Sequence, residues 1–433
     1  MKKTVKKTTA FFLAAIIAVC GLVMGKPQIV RAETYEPQEV VGEADRNVRF
    51  IWDWNDLLED AVTAGENLNL TVAGLVLSRA VESTSVNGQK VLEAIGFKGI
   101  KNSYYKVSTS EKNDVSQPAR SFGHKELVTD SGTWHVFCAV FKGTTTLNDA
   151  ITDINSLDDG FRTPGENCTA DLKDYIHSFD GATKENTILF ITGHSLGAAT
   201  ANMVGELVTE PENDLVEDAH NFVYTFATPN YDTLSREEGW SNFHYFTNAD
   251  DVVPTVPPGF GKIGTEHYFQ YDDLSDEQKS KFNRIYGYFK GGKTFEEDTH
   301  TTGLGDKLKN HLLYTYLSFI LSDLSNSEIE PYLYELKNNP LTLDGKTVKV
   351  KSKKKTVLSC EKTLDIENET GPLTYTLLTE NEKVSIDEET GAITVKKGLK
   401  KGKKLKLIVQ AEAPGTYEYK AGTAEAIVTL KVK

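Results

Sequence analysis

The residue best suited to chemistry in this sequence is Ser195, the central residue of the pentapeptide Gly-His-Ser-Leu-Gly at positions 193–197. The pentapeptide follows a run of β-branched and aromatic residues at 187–192 and precedes small helix-forming residues. A strand that turns into a helix through G-x-S-x-G pushes its serine outward, and the N–H of Leu196 would then open the helix, where donors face developing negative charge. The pattern predicts a nucleophilic serine; the alternative is a polar residue in an ordinary loop.

A serine hydroxyl is a poor nucleophile at neutral pH, so it needs a base and a group that orients the base. Where such a serine turn occurs, the acid and then the histidine follow it in the chain. Asp250 and Asp251 both follow a strand-like run and are candidates for the acid. Of the later histidines His267, His300 and His311, the sequence favours His311, which stands at the start of an apolar helix. His300, in a turn-like segment, remains the alternative.

The elements that must position these residues alternate along the chain. Two strand-like runs, 121–128 and 134–141, flank an Asp-Ser-Gly turn signal and predict a hairpin. The pattern then predicts a helix near 170–179, a strand at 187–192, a helix at 196–208, and strands at 222–227 and 243–247. This order predicts an α/β fold: a mostly parallel sheet with helices on both faces and ligands beyond the carboxyl ends of its strands.

Four segments, taken together, resemble the signature segments of the class 3 lipase family of α/β hydrolases. They are VFKGT at 140–144, GHSLGAA at 193–199, TFATP at 225–229 and NADDVVP at 248–254. The resemblance covers about residues 50 to 325. It implies an α/β-hydrolase fold and a serine hydrolase that cleaves carboxylic esters.

The resemblance also implies residue roles. It makes Ser195 the nucleophile, Asp251 the orienting carboxylate, and His311, in the segment HLLY, the base. The oxyanion hole would consist of Thr144 and the backbone N–H of Leu196, and such donors are typically worth about 3–4 kcal/mol each in the transition state.

Two positions depart from the usual family pattern, and one segment has two interpretations. Lys142 stands where the family usually has arginine and Ala198 where it often has glycine, but neither side chain touches the reacting atoms in this scheme. In lipases of this type a lid follows the oxyanion residue. The segment 145–159 carries apolar residues at helical spacing with acids between them, which fits either a mobile lid or a fixed helix.

The predicted function is that of an exported serine carboxylic-ester hydrolase, a lipase or esterase, that acts on acylglycerol-type or other lipid esters through an acyl-enzyme. The expected substrate is a lipid or small ester. No cofactor is needed, and the spacing of histidines and acids along the chain indicates no metal site. The alternative is a cell-surface binding protein in which the hydrolase fold is a scaffold and a C-terminal domain contacts cell wall or glycan.

Length and composition predict two domains after a leader. The chain has 433 residues, more than one hydrophobic core usually supports. Residues 1–32 combine a basic start with an apolar stretch and predict a signal peptide, and hence a secreted or cell-surface protein. Residues 33–340 would form the catalytic domain. The pattern of residues 341–433 predicts a β-sandwich that loosely resembles the immunoglobulin-like or cadherin-like modules of bacterial surface proteins. This domain would serve as a spacer or as a binding module.

Charge separates the two predicted domains. The net charge is −14, and removing the six basic residues of 1–32 leaves −14 − 6 = −20. Residues 341–433 carry 18 Lys and 13 acids, or +5, so residues 33–340 carry −20 − 5 = −25. A domain this acidic repels nucleic acid and anionic membrane surfaces, so no nucleic-acid partner is expected.

Overall fold

The computed structural model describes residues 34–43, 46–104, 117–143, 161–232, 240–298 and 309–433. The predicted signal peptide, Thr144, the segment 145–159 and His300 lie outside these ranges. Among the helices of the described ranges, none combines the length and the apolar character needed to cross a membrane.

Nine α-helices occur in the described ranges. They are α1 (Ala61–Ala64), α2 (Leu68–Ser83), α3 (Ser85–Ile95), α4 (Arg162–His177), α5 (Leu196–Leu207), α6 (Asp276–Lys290), α7 (Leu313–Ser322), α8 (Asn326–Ile329) and α9 (Cys360–Thr363).

The strands fall into an N-terminal and a C-terminal group. The first comprises β1 (Gln38–Glu43), β2 (Asn47–Trp52), β3 (Lys98–Ser103), β4 (Arg120–Thr129), β5 (Gly132–Phe141), β6 (Thr187–His194), β7 (Asn221–Phe226), β8 (Phe243–Asn248) and β9 (Thr265–Phe269). The second comprises β10 (Thr342–Gly345), β11 (Thr347–Val350), β12 (Thr356–Leu358), β13 (Leu364–Glu367), β14 (Thr374–Leu377), β15 (Val384–Ile386), β16 (Ile393–Val395), β17 (Lys404–Ala413) and β18 (Gly422–Val432).

A seven-stranded sheet organises the N-terminal part, in the order β3-β4-β5-β6-β7-β8-β9. Strands β5 to β9 pair in parallel, whereas β3, β4 and β5 are antiparallel neighbours. The predicted α/β class, with a mostly parallel sheet, agrees with this topology. The predicted hairpin forms between β4 and β5, which meet at Asp130 and Ser131.

The sheet is covered by helices on both faces. Alternate residues of β5 enter different cores: Val136 and Cys138 pack on the side of α2, α3 and α7, while Phe137 and Ala139 pack on the side of α4 and α5. Side chains alternate across a strand, so a strand buried on both faces is apolar throughout. This explains why β6 is buried along its whole length.

The C-terminal part is all β. It contains a four-stranded sheet of order β11-β18-β17-β14, a three-stranded sheet of order β12-β16-β15 and the pair β10-β13. The buried apolar side chains of these sheets belong to one cluster, which extends from Leu341 to Val432. Along β17 and β18 buried positions alternate with more exposed ones, as expected for strands with one face toward the apolar cluster.

Candidate active site

Ser195 occupies a strained turn between the central strand β6 and helix α5. Its backbone has φ 57° and ψ −130°, and its N–H donates to the carbonyl oxygen of Phe226 at 3.0 Å. Such a conformation costs about 1–3 kcal/mol in a residue other than glycine, so the surrounding packing must impose it. A Cβ at Gly193 would lie 2.4 Å from the carbonyl oxygen of Gly197, and one at Gly197 would lie 2.3 Å from that of Phe141. Both glycines are therefore required by the close approach of the backbone.

The structure brings Ser195, His311 and Asp251 into contact. His311 Nε2 lies 3.0 Å from Ser195 Oγ, and His311 Nδ1 lies 2.8 Å from Asp251 Oδ2. Ser195 and Asp251 are each 1 % exposed and His311 is 8 % exposed. Asp250, the other acidic candidate, is exposed. The geometry thus selects Asp251, and a histidine held between a carboxylate and a hydroxyl can take the hydroxyl proton.

The carboxylate of Asp251 is held by two further donors. Its Oδ1 accepts the N–H of Val253 at 3.0 Å, and its Oδ2 accepts the hydroxyl of Tyr316, on helix α7, at 2.8 Å. Burial, reinforced by the charge of Asp251, raises the pKa of Tyr316 well above its usual value, so the phenol stays a donor. Together these donors compensate a buried negative charge and fix the direction in which it faces the imidazole.

Two polar contacts fix the main chain around His311, which ends a helical turn at 309–311. The side-chain amide of Asn248, the last residue of β8, donates to the carbonyl oxygen of Asn310 at 3.0 Å. The ring Nε2 of His194 lies 2.8 Å from the carbonyl oxygen of His311. His311 is thereby held against the strand that precedes Asp251 and against the residue that precedes Ser195.

His194 is itself held by Glu82, near the end of helix α2. Its Nδ1 lies 2.7 Å from Glu82 Oε1, and its ring centroid lies 4.6 Å from that of His311. Burial alone lowers the pKa of His194, but the Glu82 carboxylate and the His311 carbonyl outweigh burial, and the net pKa is raised. Both ring nitrogens face acceptors, which is the arrangement that an imidazolium satisfies. Sequence reasoning missed this pair, because its members are 112 residues apart.

We expect the His194–Glu82 pair to stabilise the fold in a pH-dependent way. A pKa raised on folding contributes stability that is fully present below the unfolded histidine pKa of about 6.5 and is lost as pH rises through the folded pKa. Replacing Glu82 by glutamine should lower the free energy of unfolding by about 2 kcal/mol near pH 6 and by less near pH 9. Urea denaturation at both pH values measures the difference. The exposed Glu59→Gln is the control, and an effect that grows with pH would contradict the assignment.

Tyr316 should contribute measurably to stability through its two hydrogen bonds. Besides donating to Asp251, its oxygen accepts the N–H of Asn248 at 3.2 Å. Tyr316→Phe leaves a buried N–H unpaired and removes a donor from a buried carboxylate, so the free energy of unfolding should fall by about 2 kcal/mol. Denaturation of this variant beside the exposed Tyr417→Phe measures the loss; equal stability of the two would rule out the role.

Of the two predicted oxyanion residues, only Leu196 belongs to the described residues. It is the first residue of α5, a position whose N–H has no acceptor within its own helix. The N–H of Ser195 is engaged with Phe226, which leaves that of Leu196 as the donor next to the hydroxyl. Thr144 lies outside the described residues, and its role stays a prediction.

Two further side chains of the described residues, His267 and Cys138, lie apart from this site. His267 contacts His244 at 3.1 Å and Glu66 at 3.1 Å, and it therefore belongs to a separate polar chain. Cys138 is buried and free, and burial raises the pKa of its thiol. A thiol held protonated in this way is a poor nucleophile.

Comparison with known proteins gives one match that bears on this geometry. Residues 159–260 match the model of a family described as lipase (class 3). The match supports a lipase-type hydrolase. It spans 102 of the 433 residues and includes Ser195 and Asp251 but ends before His311. None of the curated proteins matches the chain.

Solved structures add no argument about the fold. Protocadherin gamma B2 extracellular cadherin domains 3–6 are 21% identical, with 20% of each chain covered and a TM-score of 0.16. Mouse cadherin-23 EC22–24 is 15% identical, with 22% of this chain and 32% of that chain covered and a TM-score of 0.17. Mouse clustered PcdhgC3 EC1–3 is 16% identical, with 23% and 35% covered and a TM-score of 0.17. The matches span between 20% and 35% of these three chains. The comparisons do not support contact with cell wall or glycan.

Proposed function

We propose that this chain is a secreted serine hydrolase that cleaves carboxylic esters of lipids. The observation that carries the proposal is the pair of contacts from His311, to Ser195 Oγ on one side and to Asp251 Oδ2 on the other. A hydroxyl in a strained strand-to-helix turn, next to a helix N-terminus, has the surroundings that acyl transfer needs.

In the proposed mechanism His311 Nε2 takes the proton of Ser195 Oγ while that oxygen attacks the ester carbonyl carbon. The carbonyl oxygen becomes an oxyanion that accepts the N–H of Leu196 and, by the sequence-based prediction, donors of Thr144. Collapse of the tetrahedral intermediate breaks the bond to the alcohol, which leaves with the proton from His311 and gives an acyl-Ser195. Water, deprotonated by His311, then releases the acid by the same steps, and Asp251 keeps the imidazole in the useful tautomer throughout.

Support for a lipid ester as the substrate class comes from the match to the class 3 lipase family over residues 159–260. The mechanism itself suits acylglycerols and other carboxylic esters alike, since the reacting groups touch only the ester function. The preference for a particular acyl-chain length would be set by the side chains that line the acyl group of the substrate, rather than by the triad.

A chromogenic ester series tests the proposal. The mature protein, residues 33–433, is assayed with p-nitrophenyl esters from acetate to palmitate, below and above the solubility limit of each. We expect turnover of short or medium chains, with a rise in rate above the solubility limit if the enzyme acts at lipid surfaces. Absence of turnover across the whole series would end the proposal.

Export and the two-domain division form part of the same proposal. The composition of residues 1–32 supports secretion, and the separate apolar cluster from Leu341 to Val432 supports a second domain. We propose that residues 341–433 act as a spacer. Deleting them should leave ester hydrolysis within about twofold while changing retention at the cell surface; a large loss of activity would argue against the division.

A further inference from the structure

One face of the β4–β5 hairpin carries three side chains of the types that commonly ligate metals. His124 and Glu126 are two residues apart on β4 and therefore point to the same side of the sheet. His135 on β5 is the cross-strand partner of Glu126 in the antiparallel register. Directly opposed residues such as Glu126 and His135 have Cβ atoms about 4.5–5.5 Å apart, and diagonal neighbours such as His124 and His135 are about 7–8 Å apart, so the register brings the three side chains within reach of one another.

The donor atoms lie at separations that a single ion can bridge. His124 Nε2 is 3.1 Å from His135 Nδ1, and the ligand atoms of all three residues lie within 4.8 Å of one another. Two nitrogens bound to tetrahedral zinc at 2.0–2.1 Å are about 3.3 Å apart. The two imidazole nitrogens thus already lie at the separation that a shared ion requires, and the ion would replace the hydrogen bond between them. Only the Glu126 carboxylate must approach, and its side chain is exposed and able to rotate.

The two imidazoles are held in place before any ion binds. The His124 ring packs on Phe179 with a centroid distance of 3.9 Å and on Phe137 at 4.7 Å. Both histidines are buried, so the surrounding packing fixes the positions of their rings.

We propose that His124, Glu126 and His135 form a binding site for Zn²⁺, with His124 Nε2, His135 Nδ1 and a Glu126 oxygen as ligands and water as the fourth. Two nitrogen ligands and one carboxylate suit zinc better than calcium or magnesium, which prefer oxygen. The site lies at the end of the sheet opposite the triad. His135 pairs with Thr187 at the start of β6, whereas Ser195 follows its end, about 25 Å away at 3.3 Å per residue.

This position gives the ion a structural role, since it touches no reacting group. An ion bound by both strands cross-links the hairpin and stabilises the folded state by mass action. Bound zinc should therefore raise the thermal unfolding midpoint, by about 3 °C or more, without changing ester hydrolysis. The inference is independent of the proposed function, because it concerns residues that the triad does not use.

Calorimetric titration of the untagged, metal-free full chain with ZnCl₂ tests the site. We expect one equivalent to bind, and Co²⁺ at the same site to give the visible absorption of tetrahedral coordination. Glu126→Gln and His135→Gln should each weaken zinc binding by about tenfold or more and abolish the rise in the unfolding midpoint. The exposed His177→Gln, at the end of α4, is the matched control and should titrate as the unmodified protein does.

Two results would overturn the proposal. One is the absence of stoichiometric binding to the unmodified protein. The other is an unchanged affinity of Glu126→Gln for zinc. Because the Glu126 side chain is exposed, this variant should fold, and its affinity decides the question alone if His135→Gln does not fold.

Discussion

Ser195→Ala should lower kcat for ester hydrolysis by about 10⁵- to 10⁶-fold, because it removes the only atom in the proposed mechanism that bonds to the acyl group. This corresponds to about 7–8 kcal/mol of transition-state stabilisation. Within the described ranges, the one hydrogen bond of this hydroxyl is with His311 Nε2, so the variant should fold. Initial rates on the best chromogenic ester of the series give the measurement.

The control for this variant is Ser178→Ala, at an exposed serine just after helix α4. It should retain full activity. If Ser195→Ala kept more than about a tenth of the unmodified rate, the hydroxyl could not be the nucleophile.

Asp251→Asn should lower kcat by about 10⁴-fold with little change in KM. The carboxylate accepts from His311 Nδ1, Val253 N–H and the Tyr316 hydroxyl. Because the Val253 N–H can only donate, an asparagine keeps its oxygen toward Val253 and turns its NH₂ group toward His311 and Tyr316. The imidazole then accepts at Nδ1 and adopts the tautomer that cannot take the proton from Ser195. The loss should persist across pH, because no change in protonation restores the orientation.

The chain supplies a matched control for this variant in the adjacent residue. Asp250 has the same side chain but is exposed, so Asp250→Asn should leave kcat within about twofold. Equal losses in the two variants would show that net charge in this loop, rather than contact with His311, accounts for the effect.

The strained turn at Ser195 could be predicted from the sequence because its signal is local. A β-branched strand, two glycines at fixed positions and small helix-forming residues all lie within a few residues of Ser195. Each glycine stands where another backbone segment approaches too closely for a side chain. A turn of this geometry therefore requires glycine at these two positions, and the requirement is visible in the sequence. The choice of Asp251 over Asp250 was different: residue types alone left both open, and family resemblance favoured the one that the structure buries.

The supporting residues could not be predicted, because their partners are distant in the chain. Glu82, His194 and Tyr316 each lie in elements whose periodicity explains them as ordinary helix or strand residues. Their roles depend on how helices α2 and α7 lie against the carboxyl ends of β6 and β8. Hydrogen bonds between residues 112 and 65 positions apart produce no recognisable pattern in the local sequence.

Some elements were missed although the sequence carried a signal. Helix α6 begins at a capping box in which Ser275 and Gln278 satisfy each other's backbone N–H groups, and it ends at Gly291 in a left-handed conformation. Both signals are readable in the sequence. Strand β9 is different: it is five residues long and half-exposed, so its pattern does not separate it from a loop.

The zinc proposal illustrates the same limit. Spacing along the chain gave no zinc pattern, because two of the ligands, His124 and Glu126, are alternate residues of β4 and the third, His135, lies on β5. Only the register, which pairs Glu126 with His135, brings them together.

Covalent labelling tests the central claim most directly. The mature protein is treated with a fluorophosphonate, digested, and the modified peptide is sequenced by mass spectrometry, in parallel with His311→Ala. The account predicts a single adduct on Ser195 that forms rapidly in the unmodified protein and about a thousandfold or more slowly in His311→Ala. An adduct on another residue, or labelling of Ser195 at an equal rate without His311, would contradict it.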